Sequence, residues 1–165
     1  MHNSEIFVVR CEIGSILIYC STSEERVCER IEFSDEYLEE STENIFTSQI
    51  KEYLNGSIKV IDFPVSYKKD TKFAHILEQL RERVNYGRII TYADLATICD
   101  TTPRVVGFAM ASNALPLYFP CHRVVAKNSL GGFGGRSNIS SNSASKNKID
   151  GMKWKKYLLN LEGSI

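Results

Sequence analysis

The sequence predicts a two-part α+β protein, with a small sheet and one helix over residues 1–70 and a mainly helical unit over residues 71–165. Three observations predict it. Strand-like runs of β-branched residues dominate the start of the chain, whereas apolar positions at a helical period recur after residue 70. Charge divides in the same place: the whole chain balances 20 Lys and Arg against 20 Asp and Glu, but residues 1–70 hold 7 against 14 and residues 71–165 hold 13 against 6. A basic unit fits a polyanionic partner, although a solvated charged face is the plainer alternative.

Residues 6–10 and 15–21 read as a hairpin around Glu12-Ile13-Gly14, and residues 27–33 alternate well enough for a third strand. After an acidic stretch, Ile45, Phe46, Gln49, Ile50, Tyr53 and Leu54 share a helical face that Asn55-Gly56 ends. Residues 58–65 read as another strand, ending near Pro64. Nothing in this half carries a catalytic pattern, and its Glu-rich segment reads as a solvated face.

Lys68-Lys69-Asp70 marks the boundary. Thr71 caps a helix whose core face is Phe73, Ile76, Leu77, Leu80 and Val84, and Tyr86-Gly87 closes it. Thr91 caps a short helix, with Asp94 at its positive end, that breaks at Cys99-Asp100-Thr101. Thr102 and Pro103 open the next helix, which runs through Arg104, Val105, Val106, Ala109 and Met110 to Asn113. Two short helices about a tight turn, in the basic half, read as a helix-turn-helix. Pro116 and Pro120 then fix an extended path, and residues 130–135 supply four glycines that suit either close approach to a flat ligand or a flexible loop. Residues 136–149 read as a Ser- and Asn-rich surface insert, and a last helix over 150–161 carries Met152, Leu158, Leu159 and Leu161.

No apolar run approaches the roughly 20 residues that a membrane span needs, and the start lacks a signal-peptide pattern, so a cytoplasmic protein is expected, nuclear in a cell that has a nucleus. The five cysteines include no C-x-x-C pair, which argues against a disulfide scaffold or a zinc finger. Cys11, Cys20 and Cys28, with His2 nearby, leave a small metal site or one disulfide open, while no metal is assigned to the functional site.

The run Phe119-Pro120-Cys121-His122-Arg123-Val124-Val125 sets a thiol, an imidazole and a guanidinium among residues that favour burial. From the Cys-His pair alone two readings stand: a buried small hydrophobe beside a hydrogen-bonded imidazole, or a nucleophile beside its base. Read as a strand, the run sends the two side chains to opposite faces, so a bridging water would have to join them.

Pro120-Cys121-His122-Arg123-Val124, preceded by Tyr86-Gly87 to Tyr92, by Arg104-Val105-Val106-Gly107 and by Asn113, and followed by Leu158-Leu159-Asn160-Leu161-Glu162-Gly163, resembles the O6-alkylguanine-DNA alkyltransferases. The resemblance covers residues 71–165. It implies a small α/β N-terminal unit with a ribonuclease-H-like fold and a structural role, and a C-terminal unit with a winged helix-turn-helix. It also implies direct-reversal repair: one alkyl group passes irreversibly from O6-alkylguanine, or from O4-alkylthymine, in double-stranded DNA to a cysteine, in a monomer that needs no cofactor and no membrane.

By the same resemblance Cys121 is the nucleophile, His122 the base acting through a water, Glu162 the carboxylate that orients the imidazole, Asn113 the hinge between recognition helix and site, and Tyr92 the residue beside the flipped base. Arg104 enters the duplex in place of the extruded guanine, its alternative being a phosphate contact. Thr102, Gly107, Ala111 and Arg123 complete the DNA-contacting set, and Val124, Gly131, Gly132 and Phe133 the base pocket, with main-chain atoms of Cys121 and Val124 on the guanine edge. Two departures stand out: Ala114 follows Asn113 where the family commonly has proline, and the glycine run with its insert replaces a compact loop. A lesion-binding alkyltransferase-like protein is the runner-up, opposed by Cys121 itself, and a helix-turn-helix transcription regulator is the third reading.

Overall fold

The computed structural model of the chain describes residues 4–132 and 149–165. It divides into two compact units, Met1–Tyr67 and Lys68–Ile165. In the first, β1 (Ser4–Cys11), β2 (Gly14–Ser21) and β3 (Cys28–Ser34) form an antiparallel meander, and α1 (Ile45–Leu54) packs on it. Cys11 pairs with Gly14 across a two-residue turn. Glycine is required there, because a Cβ would sit 2.0 Å from the Ser34 carbonyl oxygen. The Asn44 side chain accepts from the Phe46 and Thr47 N–H groups while Thr47 Oγ1 accepts from Asn44 N–H, which fixes the start of α1. Phe46 then stacks on Phe7 of β1 and tilts against Phe63.

The strand expected over residues 58–65 does not form. Ile61 and Phe63 are buried and Val60 is exposed, so the alternation is real, but the segment makes one bridge, Val65 to Cys28. The Gln49 side chain of α1 accepts from Asp62 N–H and donates to its carboxylate, so a helix takes the bonds that a neighbouring strand would need. Pro64 has no N–H to offer. Cys20 and Cys28 face each other across β2 and β3 as buried free thiols, while Cys11 lies at the other end of the sheet. Among the described residues no group of three His, Cys, Asp or Glu could hold a metal ion; His2 lies outside them.

The second unit contains α2 (Lys72–Arg83), β4 (Ile90–Thr91), α3 (Tyr92–Ile98), α4 (Pro103–Ala111), a 3-10 turn at Cys121–Arg123, β5 (Val124–Val125) and α5 (Gly151–Leu161). Thr71, Thr91, Thr102 and Asp150 each cap the helix that follows by accepting a backbone N–H from its first turn. Helices α2, α3 and α4 pack on one another around Ile76, Leu80, Leu95, Val106 and Ala109, and α5 adds Trp154, Leu158 and Leu159. β4 and β5 pair in parallel, Ile90 with Val124 and Thr91 with Val125. This short ladder joins the entrance of α3 to the exit of the Cys-His-Arg turn. No helix among the described residues is long and apolar enough to cross a membrane.

Candidate active site

Asn113, just past α4, begins the site. Its side-chain amide donates to the Phe119 carbonyl at 2.9 Å and its carbonyl oxygen accepts from Leu115 N–H at 3.0 Å, so one side chain closes both ends of the loop that carries Pro116 and leads into Pro120. Ala114 at the loop's start is exposed and takes no part in this clamp. Asn113 also hydrogen-bonds the Cys121 thiol. Cys121 is buried, which pushes its pKa up against the opposing pull of Asn113 and of the Lys155 charge.

The Cys-His-Arg run is a 3-10 turn and not the strand that was expected. Pro120 supplies no N–H, and Arg123 N–H reaches back to the Pro120 carbonyl at 3.0 Å, which closes the turn before β5 begins. Successive side chains of such a turn are splayed by about a third of a revolution and not by half a revolution as in a strand.

His122 is 1 % exposed, and its Nε2 lies 2.8 Å from Glu162 Oε2. Burial is the strongest influence on Glu162 and opposes its ionisation, yet hydrogen bonds from His122 and Arg123, with their charges, outweigh it and hold the carboxyl well below the usual carboxylate range. An ionised carboxylate only accepts, so His122 Nε2 carries the hydrogen. Burial, partly offset by Glu162, lowers the His122 pKa, so the ring is neutral near pH 7 and Nδ1 holds a bare lone pair. That Nδ1 is buried and has no hydrogen-bond partner among the described residues.

Arg123 requires a correction. Sequence reasoning set it on DNA, but it is 6 % exposed, with Nε on Glu162 Oε1 at 2.8 Å, Nη2 on Oε2 at 2.9 Å and Nη1 on the Val84 carbonyl at 2.8 Å. Its planar fork neutralises the carboxylate that holds His122 and ties α5 to the end of α2. Removing one partner of such a buried pair costs about 3–5 kcal/mol, so this arrangement secures the Cys-His turn as well as the proton position on His122.

Lys155 is the site residue that the sequence reading missed. It lies in α5, fully buried, and its Nζ donates to the Val124 carbonyl at 2.6 Å and the Gly132 carbonyl at 2.7 Å. Burial lowers its pKa to about 8, opposed by the Cys121 charge. A signal was present: Lys155 falls on the same helical stripe as Trp154, Leu158, Leu159 and Glu162, where a lysine has no ordinary packing role.

Tyr92, the first residue of α3, is half-buried, and burial raises its pKa, as does the neighbouring Cys121, while a Gly132 N–H bond to its oxygen opposes both. Gly131 has φ +72°, and a Cβ there would lie 3.0 Å from Tyr92 Cε2 and 3.1 Å from its oxygen. Gly131 and Gly132 are thus brought against Tyr92 and Lys155, and Val124 lies buried in β5 between the turn and its partner strand. The Cys121 carbonyl accepts from Val124 N–H and the Val124 carbonyl from Lys155, leaving each a second lone pair. Phe133 lies outside the described residues.

Arg104, Gly107 and Ala111 lie on α4, and Thr102 caps it. Thr102 and Arg104 are exposed, Gly107 is half-buried and Ala111 is exposed at the helix end. As the cap, Thr102 accepts from Val105 N–H at 3.3 Å.

The sequence profile described as "6-O-methylguanine DNA methyltransferase, DNA binding domain" matches residues 72–164. A methylated-DNA–protein-cysteine methyltransferase from Archaeoglobus fulgidus is 35 % identical over 123 residues, which is 74 % of this chain and 77 % of the relative. Among solved structures, the O6-methylguanine-DNA methyltransferase of Pyrococcus kodakaraensis superposes with a TM-score of 0.71 at 24 % identity, covering 98 % of this chain and 99 % of the other. The Mycobacterium tuberculosis OGT in complex with DNA gives 0.72 at 21 % identity, covering 96 % and 93 %. These two likenesses describe the fold, a mixed arrangement of helices and a small antiparallel sheet.

Proposed function

The chain belongs to the 6-O-methylguanine DNA methyltransferase family, and from that membership we infer that it repairs DNA by direct reversal, moving an alkyl group from O6 of guanine onto Cys121. The observation that carries the reading is the proton arrangement of His122, with Nε2–H held by Glu162 and Nδ1 bare and unpartnered among the described residues.

A buried thiol with a raised pKa is a weak nucleophile until a base takes its proton. His122 Nδ1 is that base, through a water, and the imidazolium formed is stabilised by Glu162, whose remaining charge Arg123 balances. Thiolate sulfur attacks the alkyl carbon, forming the C–S bond as the C–O6 bond breaks. The electron pair stays on guanine, which takes up one proton and is restored. Asn113 and Lys155 stabilise the thiolate, and Tyr92 orients the base against the Gly131-Gly132 backbone. No group removes the alkyl thioether, so each molecule acts once, as a monomer without a cofactor. Cys99, Thr101 and Thr102 lie in the turn of a helix-turn-helix made by α3 and α4, which presents Arg104 to the duplex in place of the flipped guanine. The N-terminal unit, a ribonuclease-H-like sheet and helix, has a structural role.

Mass spectrometry after mixing with duplex DNA containing O6-methylguanine tests the reading. One methyl group on Cys121 is expected, with none on the Cys121→Ser variant. Intact lesion with unmodified protein overturns it, and tight binding of one undamaged sequence points to a regulator instead.

A further inference from the structure

Phe108 in the middle of α4 is 52 % exposed, a large aromatic side chain on the same helix face as Arg104 one turn earlier. The Arg104 guanidinium carbon lies 5.6 Å from the centre of its ring. Small residues flank this pair: Gly107 precedes Phe108, and Ala111 lies three positions beyond it, exposed. A Cβ on Gly107 would meet nothing within 4 Å, so no contact inside the protein demands glycine there. A glycine inside a helix costs about 0.5–1 kcal/mol relative to alanine, and such a residue on an outer face suits the close approach of something from outside. The unit that carries α4 is basic, with 13 Lys and Arg against 6 Asp and Glu over residues 71–165, so the fitting partner is a polyanion that also offers flat apolar faces. Duplex DNA is such a partner, and its base steps accept apolar wedges inserted from the minor groove.

We propose that Phe108 is a second, apolar part of the DNA wedge: its ring stacks on a base neighbouring the flipped guanine and supports the Arg104 guanidinium from below. The inference rests on the repair reading above. Arg104 alone would bring a charge and hydrogen-bond donors to the gap in the base stack, whereas the ring restores stacking to a base that has lost its neighbour. Gly107 and Ala111 keep the helix surface beside the ring low enough for it to reach the stack.

The test compares Phe108→Ala and Phe108→Trp with the unsubstituted protein, measuring methyl transfer to Cys121 from O6-methylguanine in duplex DNA and from the free base. Fluorescence of 2-aminopurine placed beside the lesion reports the loss of stacking. Aromatic–base stacking of about 1–3 kcal/mol corresponds to a loss of about 5- to 150-fold, so transfer from duplex by Phe108→Ala is expected to fall by about tenfold or more within that range. The free-base rate stays with that of the unsubstituted protein, Phe108→Trp restores the duplex rate, and the 2-aminopurine signal rises with Phe108→Ala, because the base beside the gap then lacks the ring it stacks on. Unimpaired duplex transfer by Phe108→Ala overturns the proposal alone, as does an equal loss on duplex and free base, which would mark a structural role. Failure of the unsubstituted protein to become methylated overturns the repair reading and this inference with it.

Discussion

Glu162 shows how single residues set the chemistry. It accepts from His122 and from two nitrogens of Arg123, Nε and Nη2, and these contacts hold it ionised despite burial. An unfolded chain would bind a proton there near the ordinary value of 4.5, which the folded chain refuses, so this contribution to stability is complete above that value and is lost progressively as pH falls below it toward the lower folded value. His122 acts in the same sense, because its lowered pKa leaves the unfolded chain binding the extra proton below 6.5. Glu162→Gln should therefore lose about 3–5 kcal/mol at neutral pH and show a shallower decline in urea midpoint with acid than the unsubstituted protein. Lys155 acts in the same direction, in an alkaline window. Its pKa falls from 10.5 to about 8, so between those values the unfolded chain holds a proton that the folded chain has shed, and stability rises with pH. Lys155→Met should abolish that alkaline rise and slow transfer from the free base about tenfold at neutral pH, a charge effect that fades in the unsubstituted protein above about pH 8.

Among elements, the short β4–β5 ladder and the loop after it decide where Tyr92 stands. β4 ends at Thr91, which caps α3, so Tyr92 begins a helix whose position is fixed by pairing with the residues that follow the Cys-His-Arg turn. Gly131 then closes against the Tyr92 ring in a left-handed conformation. Gly131→Ala should cost about 1–2 kcal/mol in backbone conformation alone, push the Tyr92 ring aside and slow transfer, read by thermal melting and single-turnover rates. Gly132→Ala, whose Cβ would meet nothing within 4 Å, should leave the melting temperature unchanged. Three helix caps were plain in the sequence, since Thr71, Thr91 and Thr102 each stand beside a periodic apolar run, while the caps Asn44 and Asp150 were not read from it. The conformation of residues 58–65 was not, because alternation records which side chains are buried and is silent on whether a strand edge is free to pair.

For the whole molecule, the acidic and basic halves separate two compact units, and the charge of the second predicts its response to salt. DNA affinity should fall linearly in logarithmic terms as salt rises, with a slope of about −0.9 for each phosphate neutralised. Arg104→Ala should lower transfer from duplex DNA while leaving the free-base rate in place, measured side by side; equal losses would assign Arg104 to the structure of α4.

The sequence by itself determined the helices, three of their caps, the first hairpin, the basic unit and the family motif that holds Cys121, His122 and Glu162, because each is written in residue types close together in the chain or in a motif of fixed order. Only the tertiary structure decided what Arg123 and Lys155 do. Their sequence neighbours announce a cation and leave its surroundings open, and it is folding that sets Arg123 on a carboxylate 39 positions away and Lys155 on the carbonyls of Val124 and Gly132. A buried charge must find its compensation inside the protein. Where that compensation lies depends on which chain segments packing brings together, and local pattern carries no record of it.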